Sequence, residues 1–308
     1  MRIFAFFFRA ITATAVVLGV ASCGWTSDGG ARLNELYHKD TGKTDVAADQ
    51  GISDLADVLD DDVALDTPSS DEGGFDVSPG EVPELGLTGL WAVRVVQLGE
   101  ISPISDPYPI TTPDYFLVRI EPDAHAMDLI FCDEIPVVDS GDAGIEFTTR
   151  TTPSLRAALA ASPLEVALGG GSMSLPAQKL MWTWGLKGII QTDPMPTTSG
   201  DAKVFDQDDD GHPGVTVEVA GLMTGQRYMV KRAMWDLSAG VLSTDRIWLS
   251  GTLSYTLEEE PLGADPVMLA QKTPITPKDG SSYAFRRVGQ MTCESLLAHL
   301  DDVFSTAP

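Results

Sequence analysis

The chain has 308 residues, with 45 acidic residues against 20 Lys and Arg, and a formal net charge of −25. Its aliphatic and aromatic content is sufficient for a packed core, which excludes a chain that is disordered throughout. The charge argues against nucleic acid as a partner, because phosphate binding needs clustered Lys and Arg and the sequence has no such cluster.

Residues 1–22 have the pattern of a secretory signal peptide. Arg2 and Arg9 bracket a run of phenylalanines, and an apolar stretch from Ala10 to Val20 follows. That stretch is shorter than the roughly 20 apolar residues that a membrane-spanning helix needs. A charged start, a short apolar middle and small residues at the end predict export and cleavage.

The end of this segment, Val20-Ala21-Ser22-Cys23, resembles the bacterial lipobox. The resemblance implies a diacylglycerol on the Cys23 thiol, cleavage before Cys23, and acylation of the new amino terminus with a fatty acid such as palmitate. Several acyl chains give firm membrane anchoring where one chain is marginal. Gly24 is not the aspartate that indicates inner-membrane retention, so the outer membrane or cell surface is favoured. The alternative is an ordinary cleaved signal followed by an incidental cysteine.

Residues 23–86 predict a lipidated N-terminus followed by a disordered acidic tether. From Asp45 to Glu84 there are 13 acidic residues and no Lys or Arg. Such a run is self-repelling and solvated, so it does not contribute to a folded core. A spacer between the membrane and the domain is the favoured function, and weak cation binding is the alternative.

Residues 87–308 predict a mainly β domain, either an antiparallel β-barrel or a β-sandwich, with a C-terminal helix. Short apolar runs are broken by Gly, Pro, Asp and Ser, and several alternate with period two. The predicted strands are Leu90–Leu98, Tyr115–Glu121, Met127–Cys132, Ile145–Thr149, Gln178–Trp184, Val215–Val219, Arg227–Asp236 and Arg246–Leu257. Helices are predicted at Leu155–Ala161 and at Cys293–Phe304, the second capped by Thr292.

Gly89-Leu90-Trp91 resembles the Gly-x-Trp that opens the first strand of lipocalins and related barrels. The resemblance implies a cavity for a small apolar ligand. The domain also has five tryptophans in strand-like runs, Trp91, Trp182, Trp184, Trp235 and Trp248. These side chains either fill the β core or form a cage around a ligand, and the core is the favoured interpretation.

The three cysteines are Cys23, Cys132 and Cys293. If Cys23 carries lipid, the other two remain in a compartment that permits disulfides. A bond between Cys132 and Cys293 would fasten the C-terminal helix to the sheet. The alternatives are two buried thiols or a metal pair, and the lack of nearby histidines disfavours zinc.

The segment from Asp206 to Gly211 places Asp206, Asp208 and Asp210 at positions one, three and five of a D-x-D-x-D-G loop. It resembles the first half of an EF-hand loop and the aspartate-rich loops of thrombospondin type 3 repeats and dockerins. The resemblance implies calcium, with the His212 carbonyl as a further ligand. Position twelve is Val217 where an EF-hand has a glutamate, and the flanks, 203–205 and 215–219, predict strands. We therefore expect a structural calcium ion on a β-loop, with a solvated acidic turn as the alternative.

No established catalytic motif occurs in the sequence, neither a nucleophile elbow nor a zinc-protease or Walker motif. The adjacent acids Asp133 and Glu134 are a weak indication of glycosidase chemistry. We expect a lipid-anchored cell-envelope protein whose domain is noncatalytic and binds a small apolar ligand or another envelope protein. The alternatives are a hydrolase of envelope polymers and a purely structural surface module.

Overall fold

A computed structural model describes residues 86–102, 107–139, 147–221, 223–305 and 307. The predicted signal peptide, the predicted lipidation site Cys23 and nearly all of the predicted tether lie outside the described residues. Within those residues, no helix combines the length and the apolar character needed to cross a membrane.

The domain is mainly β, and its strands form a single antiparallel sheet that curves into a half-barrel. The described strands are β1 (Gly89–Ile101), β2 (Tyr108–Ile120), β3 (Ala126–Glu134), β4 (Val137–Val138), β5 (Phe147–Thr151), β6 (Leu164–Ala167), β7 (Gln178–Trp184), β8 (Val215–Gly221), β9 (Gly225–Leu237), β10 (Val241–Leu242), β11 (Trp248–Asp265), β12 (Ile275–Pro277) and β13 (Ser282–Val288). Their order across the sheet is β5-β8-β9-β11-β13-β1-β2-β3-β6, and β4, β7, β10 and β12 pair beside this path. The fold-class prediction is confirmed, as one curved sheet rather than two facing sheets.

The concave face of the sheet encloses the main core, because alternate residues of each strand point inward. Phe116 of β2 lies 5.4 Å from Trp182 of β7, between ring centres, and Trp182 lies 5.6 Å from Trp235 of β9. Side chains from opposite parts of the sheet therefore meet in the interior. All five tryptophans of the domain are buried, which confirms that they fill the core.

One side chain links β6, an end of the sheet order, to β7. Gln178 of β7 accepts a hydrogen bond from the backbone N–H of Ala167 in β6 at 3.0 Å, and its amide donates to the Ala167 carbonyl at 3.1 Å. The side-chain amide thus imitates the pairing of a strand. It links β6 to β7 although no β-ladder between them occurs in the described residues.

Gly89 and Trp91 lie where β1 begins, beside Arg287 of β13. The Trp91 indole donates to the Leu87 carbonyl at 2.6 Å, and the Arg287 guanidinium covers the indole ring. Gly89 has a φ of +128°, and a Cβ there would lie 2.8 Å from the guanidinium. Glycine is therefore required both by the backbone conformation and by the approach of Arg287.

The C-terminal helices pack on the convex face of the sheet. The predicted helix is two short helices, α2 (Cys293–Ala298) and α3 (Leu300–Phe304), because His299 between them leaves the helical conformation at ψ +33° and φ −133°. Thr292 caps α2 as predicted, accepting from the Ser295 N–H at 3.2 Å. The other helices are α1 (Pro153–Ala160), capped by Thr152, and a 3₁₀ turn at Val267–Ala270.

A disulfide joins Cys132 of β3 to Cys293 of α2, with Cα atoms 5.1 Å apart. The bond fastens the first turn of α2 to the convex face, next to Leu296 and Phe304, which are both buried there. The predicted pairing is confirmed. It links two segments that are 161 residues apart in the chain.

Candidate cation site and interior charge cluster

The aspartate-rich loop lies directly before β8 and is held against the end of β7. The backbone N–H of Gly185 donates to Gln207 Oε1 at 2.6 Å, and the N–H of Phe205 donates to the Gly185 carbonyl at 3.1 Å. The loop is closed by the Gln207 N–H, which donates to the Gly214 carbonyl at 3.0 Å. These bonds fix both ends of the segment that carries the three aspartates.

The carboxylates of Asp206, Asp208 and Asp210 converge, with one oxygen from each lying within 4.8 Å of the others. Asp206 accepts from the N–H groups of Asp210 at 3.2 Å and Gly211 at 2.8 Å, which curls the loop around its first carboxylate. Asp210 accepts from the His212 N–H at 2.9 Å. The cluster could therefore hold a metal ion.

Asp208 is the buried member of the cluster, with 6% of its surface exposed. Its Oδ2 accepts from the Thr216 N–H at 3.0 Å, but no donor among the described residues reaches its buried Oδ1. Burial raises the pKa of the Asp208 carboxyl, the Thr216 hydrogen bond opposes that rise, and the charges of Asp210 and Asp206 add to it. A buried carboxylate oxygen without a donor is costly unless a cation completes it.

The loop lacks the glutamate that completes an EF-hand. Val217, at position twelve, is buried in β8, and Glu218 is exposed. The predicted strand at 203–205 is only an isolated bridge between Val204 and Leu186, since the segment between β7 and β8 folds back as turns. A cation here would thus have three carboxylates and need its remaining oxygens from the backbone and water.

His212 stacks on Tyr228 of β9, with ring centres 3.8 Å apart and the planes at 6°. The contact holds the C-terminal side of the loop against the sheet. That the His212 carbonyl is a metal ligand stays a prediction. Asp209, which follows the buried Asp208, is exposed, has a φ of +54° and is not one of the three converging carboxylates.

A second group of polar side chains lies on the concave face, at one end of the half-barrel. We call it the interior charge cluster, and its members come from β1, β2, β3, β9 and β11: Gln97, Asp114, Glu134, Lys231 and Glu259. The strand register places them there, since Asp114 pairs with Glu134 and Lys231 pairs with Glu259. The aromatic core lies immediately below.

Lys231 is the cation of this cluster and is 1% exposed. Its ammonium group forms an ion pair with Glu134 and lies 4.1 Å from the centre of the Trp184 ring. Burial lowers the pKa of Lys231, but the charges of Glu134, Asp114 and Glu259 outweigh that effect and raise it. Lys231 is therefore charged in the folded domain.

Asp114 is completely buried and accepts from Gln97 Nε2 at 2.6 Å. Burial raises its pKa well above the ordinary value, and the adjacent charge of Glu134 raises it further, while Lys231 lowers it. The Asp114 Oδ1 and Gln97 Oε1 atoms are buried with no hydrogen-bond partner in the described part of the chain. The cluster thus holds more carboxyl oxygens than its single lysine can satisfy.

Asp133 and Glu134, the acid pair noted in the sequence, do not act on one site. They are neighbours in β3 and therefore point to opposite faces. Asp133 lies on the convex side, where it accepts from the Thr151 hydroxyl and forms a 3.5 Å ion pair with Arg156 of α1. Burial raises the pKa of Asp133, and the Thr151 hydrogen bond opposes that rise.

An open cleft of about 570 Å³ lies beside the end of β9 and the first half of β11. Polar residues such as Ser238 and Asp279 and apolar residues such as Leu237 and Leu253 line it together. It is open to solvent, whereas the lipocalin resemblance implies an enclosed cavity. The aromatic rings of the core occupy the interior position where such a ligand would bind.

The comparisons with known proteins leave these sites to be interpreted from their own geometry. No protein-family model, no curated protein and no solved structure matches the chain.

Proposed function

We propose that the chain is a lipid-anchored cell-envelope protein whose half-barrel domain binds calcium at Asp206, Asp208 and Asp210 and serves as a noncatalytic binding module. The observation that carries the calcium assignment is the buried Asp208 carboxylate, whose Oδ1 has no donor among the described residues and lies in a cluster of three converging carboxylates. A bound cation would satisfy that oxygen and screen the repulsion within the cluster.

Calcium suits this loop better than the alternatives. The three ligand atoms of the cluster are carboxylate oxygens, which hard cations prefer, and no cysteine lies in the cluster. Calcium accepts irregular geometry with several waters, whereas magnesium requires a near-ideal octahedron. Because the twelfth-position glutamate is missing, we expect a dissociation constant on the order of 10⁻⁴–10⁻³ M, as in extracellular modules.

Two observations support a location outside the cytoplasm. The Cys132–Cys293 disulfide is typical of oxidising compartments. The segment Val20-Ala21-Ser22-Cys23 resembles a lipobox and would place the acyl chains at Cys23. The membrane would then be one partner, and an envelope protein or a small ligand the other.

The noncatalytic assignment is supported by the placement of the acidic residues. Asp133 and Glu134 face opposite sides of β3, so they cannot flank one glycosidic bond. The interior charge cluster is closed off by packing, with Asp114 fully buried. A hydrolase of envelope polymers would instead need two acids that converge in an open cleft.

Calorimetry with a matched pair of variants tests the calcium assignment. Calcium chloride titrated into the full-length chain should give a saturable heat, and magnesium chloride should give little. Asp208→Asn should abolish the signal because it removes the buried charge, whereas Asp209→Asn, one residue away and exposed, should retain it. No saturable heat in the native chain at millimolar calcium would overturn the assignment, as would equal binding by both variants.

The anchor has its own test. Mass spectrometry of the mature protein should find a chain that begins at Cys23 and carries acyl groups, and Cys23→Ser should release the protein from the membrane fraction. A mature native chain without acyl groups would refute the anchor and leave the calcium assignment in place.

A further inference from the structure

Asp114 and Glu134 form an unusual contact on the concave face of the sheet. They are direct partners in the β2–β3 ladder, so their side chains lie next to each other on the same face. Asp114 is completely buried and Glu134 is 9% exposed. Burial and an adjacent like charge both favour the protonated form of a carboxyl group. The single ammonium group beside the pair, that of Lys231, is in an ion pair with Glu134. This geometry favours one retained proton in the pair.

The neighbours decide which residue carries that proton. Glu134 is in an ion pair with the Lys231 ammonium group, which favours its ionised form. Asp114 has a neutral donor instead, the Gln97 amide at 2.6 Å. The negative charge therefore belongs to Glu134 and the proton to Asp114.

The elements around the pair supply no second cation for Asp114. The amide of Gln97 comes from β1, the indole of Trp184 from β7, and Lys231 from β9. From β11 come Tyr255, whose hydroxyl donates to the Leu98 carbonyl, and Glu259, a third carboxyl group. Glu259 in turn is influenced by Lys231 and by Arg227 at the start of β9. With one proton on Asp114, the three groups Asp114, Glu134 and Lys231 together are neutral.

We propose that Asp114 keeps its proton in the folded domain beside the ionised Glu134, and that this proton stabilises the polar end of the concave face until rising pH removes it. Loss of the proton would leave two adjacent carboxylates and one ammonium group in an interior that excludes water. An uncompensated charge in such a place is costly. The half-barrel thus contains a pH-sensitive contact that is separate from the cation site.

The direction of the pH dependence follows from proton linkage. Burial and the Glu134 charge raise the pKa of Asp114 in the folded state. The folded state then keeps a proton that the unfolded state releases above about pH 4. Stability falls from that pH up to the folded-state pKa, and the unfolding equilibrium constant rises roughly tenfold per pH unit for this one proton.

Infrared spectroscopy of the folded, full-length chain at neutral pH tests the proposal directly. The native protein should show the C=O stretching band of a protonated carboxylic acid, and Asp114→Asn should lose it. Asp128→Asn is the matched control, because Asp128 is on β3 but exposed. A native protein that shows no such band at neutral pH would overturn the proposal whether or not the variants fold. A band that persists in folded Asp114→Asn would overturn it too.

Unfolding measurements provide the second readout. The asparagine side chain introduced by Asp114→Asn resembles the protonated acid and cannot ionise. The variant should therefore lack the extra tenfold-per-unit rise in its unfolding constant that the native chain shows from about pH 4 up to the folded-state pKa of Asp114. Asp128→Asn should follow the native pH dependence. Parallel pH profiles for the native chain and Asp114→Asn would contradict the proposed proton.

Discussion

The guanidinium carbon of Arg287 lies 4.3 Å from the ring centre of Trp91, so that the last long strand of the sheet covers the first residues of the first strand. Arg287 also donates to the carbonyls of Thr88, of Gly86 at 3.2 Å and of Arg246 at 3.1 Å. One side chain thus satisfies three backbone acceptors that come from two separate segments.

We expect Arg287→Met to destabilise the domain by about 2–4 kcal/mol, because buried carbonyls lose their donor at roughly 1–3 kcal/mol each. Arg287→Lys should recover only part of the loss, since an ammonium group lacks the planar fork that serves several acceptors. Urea unfolding measures both changes. Arg119→Met on the exposed face of β2 is the control and should be nearly neutral. Equal stability of Arg287→Met and the control would show that the contact does not stabilise the fold.

Calcium should raise the free energy of unfolding if it binds only the folded loop. At a free concentration about ten times the dissociation constant, the gain is about 1.4 kcal/mol. The urea midpoint should be highest with calcium, lower with magnesium and lowest with a chelator. The Asp208→Asn variant should give coincident midpoints in all three, and a calcium effect that survives in this variant would place the ion elsewhere.

Removal of the disulfide should cost about 2–5 kcal/mol, because it closes a long loop. Cys132→Ala combined with Cys293→Ala tests this without an exposed thiol, and the far-ultraviolet circular dichroism should stay β-like. Reductant should reproduce the loss in the native chain and have no effect on the double variant. A double variant as stable as the native chain would show that the helix packing alone suffices.

Lys231→Met should cost about 3–5 kcal/mol at neutral pH, because Glu134 is left charged and buried without its partner. The loss should become smaller as the pH falls, since Glu134 can then accept a proton. Adding Glu134→Gln should recover part of the stability, because the remaining groups are neutral. If Glu134→Gln lowered the stability of Lys231→Met by as much as it lowers that of the native chain, the two side chains would not be coupled.

The native chain should also lose stability at strongly alkaline pH. The pKa of Lys231 is raised in the folded state, chiefly by Glu134 and Asp114 acting against burial. Its contribution is complete below about pH 10, the ordinary lysine value, and is lost as the pH rises through the folded-state pKa. Chemical unfolding above about pH 10 should show a steeper decline for the native chain than for Lys231→Met.

Strands with alternating apolar residues could be predicted closely from the sequence. Gln178–Trp184 has the bounds that were expected, because its inward tryptophans alternate with outward Lys179 and Met181. The first half of β2 was missed: it contains Pro109 and Pro113, and proline gives no ladder donor, so that stretch reads as a loop. Tertiary pairing with β1 overrides that local preference.

β13 was not predicted, although it lies between β11 and β1 in the sheet. Its Arg286-Arg287 pair suggests an exposed segment, and only the packing of Arg287 on Trp91 makes the inward position acceptable. The interior charge cluster was also not predicted, because polar residues in a strand suggest an exposed position. Gln97 and Asp114 are polar at inward positions, and the sequence does not reveal which distant strand brings a partner such as Lys231.

The cation site was predictable because its three aspartates are close in the sequence and their spacing is local. Asp206, Asp208 and Asp210 converge as expected. The burial of Asp208 was not predictable, since it depends on the Thr216 backbone at the start of β8. Local spacing gives the set of converging carboxylates, and the fold decides which carboxylate lacks a donor.

The amide of Gln178 has a consequence for how the domain opens. Elsewhere each long strand is joined to its neighbours by a row of backbone bonds that must break together, but at this place two bonds from one residue join β6 to β7. Local opening of the domain should therefore begin between β6 and β7. The backbone amide of Ala167 should then exchange its hydrogen for deuterium sooner than the amides in the middle of β1. A shorter or bulkier side chain at position 178 would lose both hydrogen bonds to Ala167 and leave β6 and β7 permanently unlinked there.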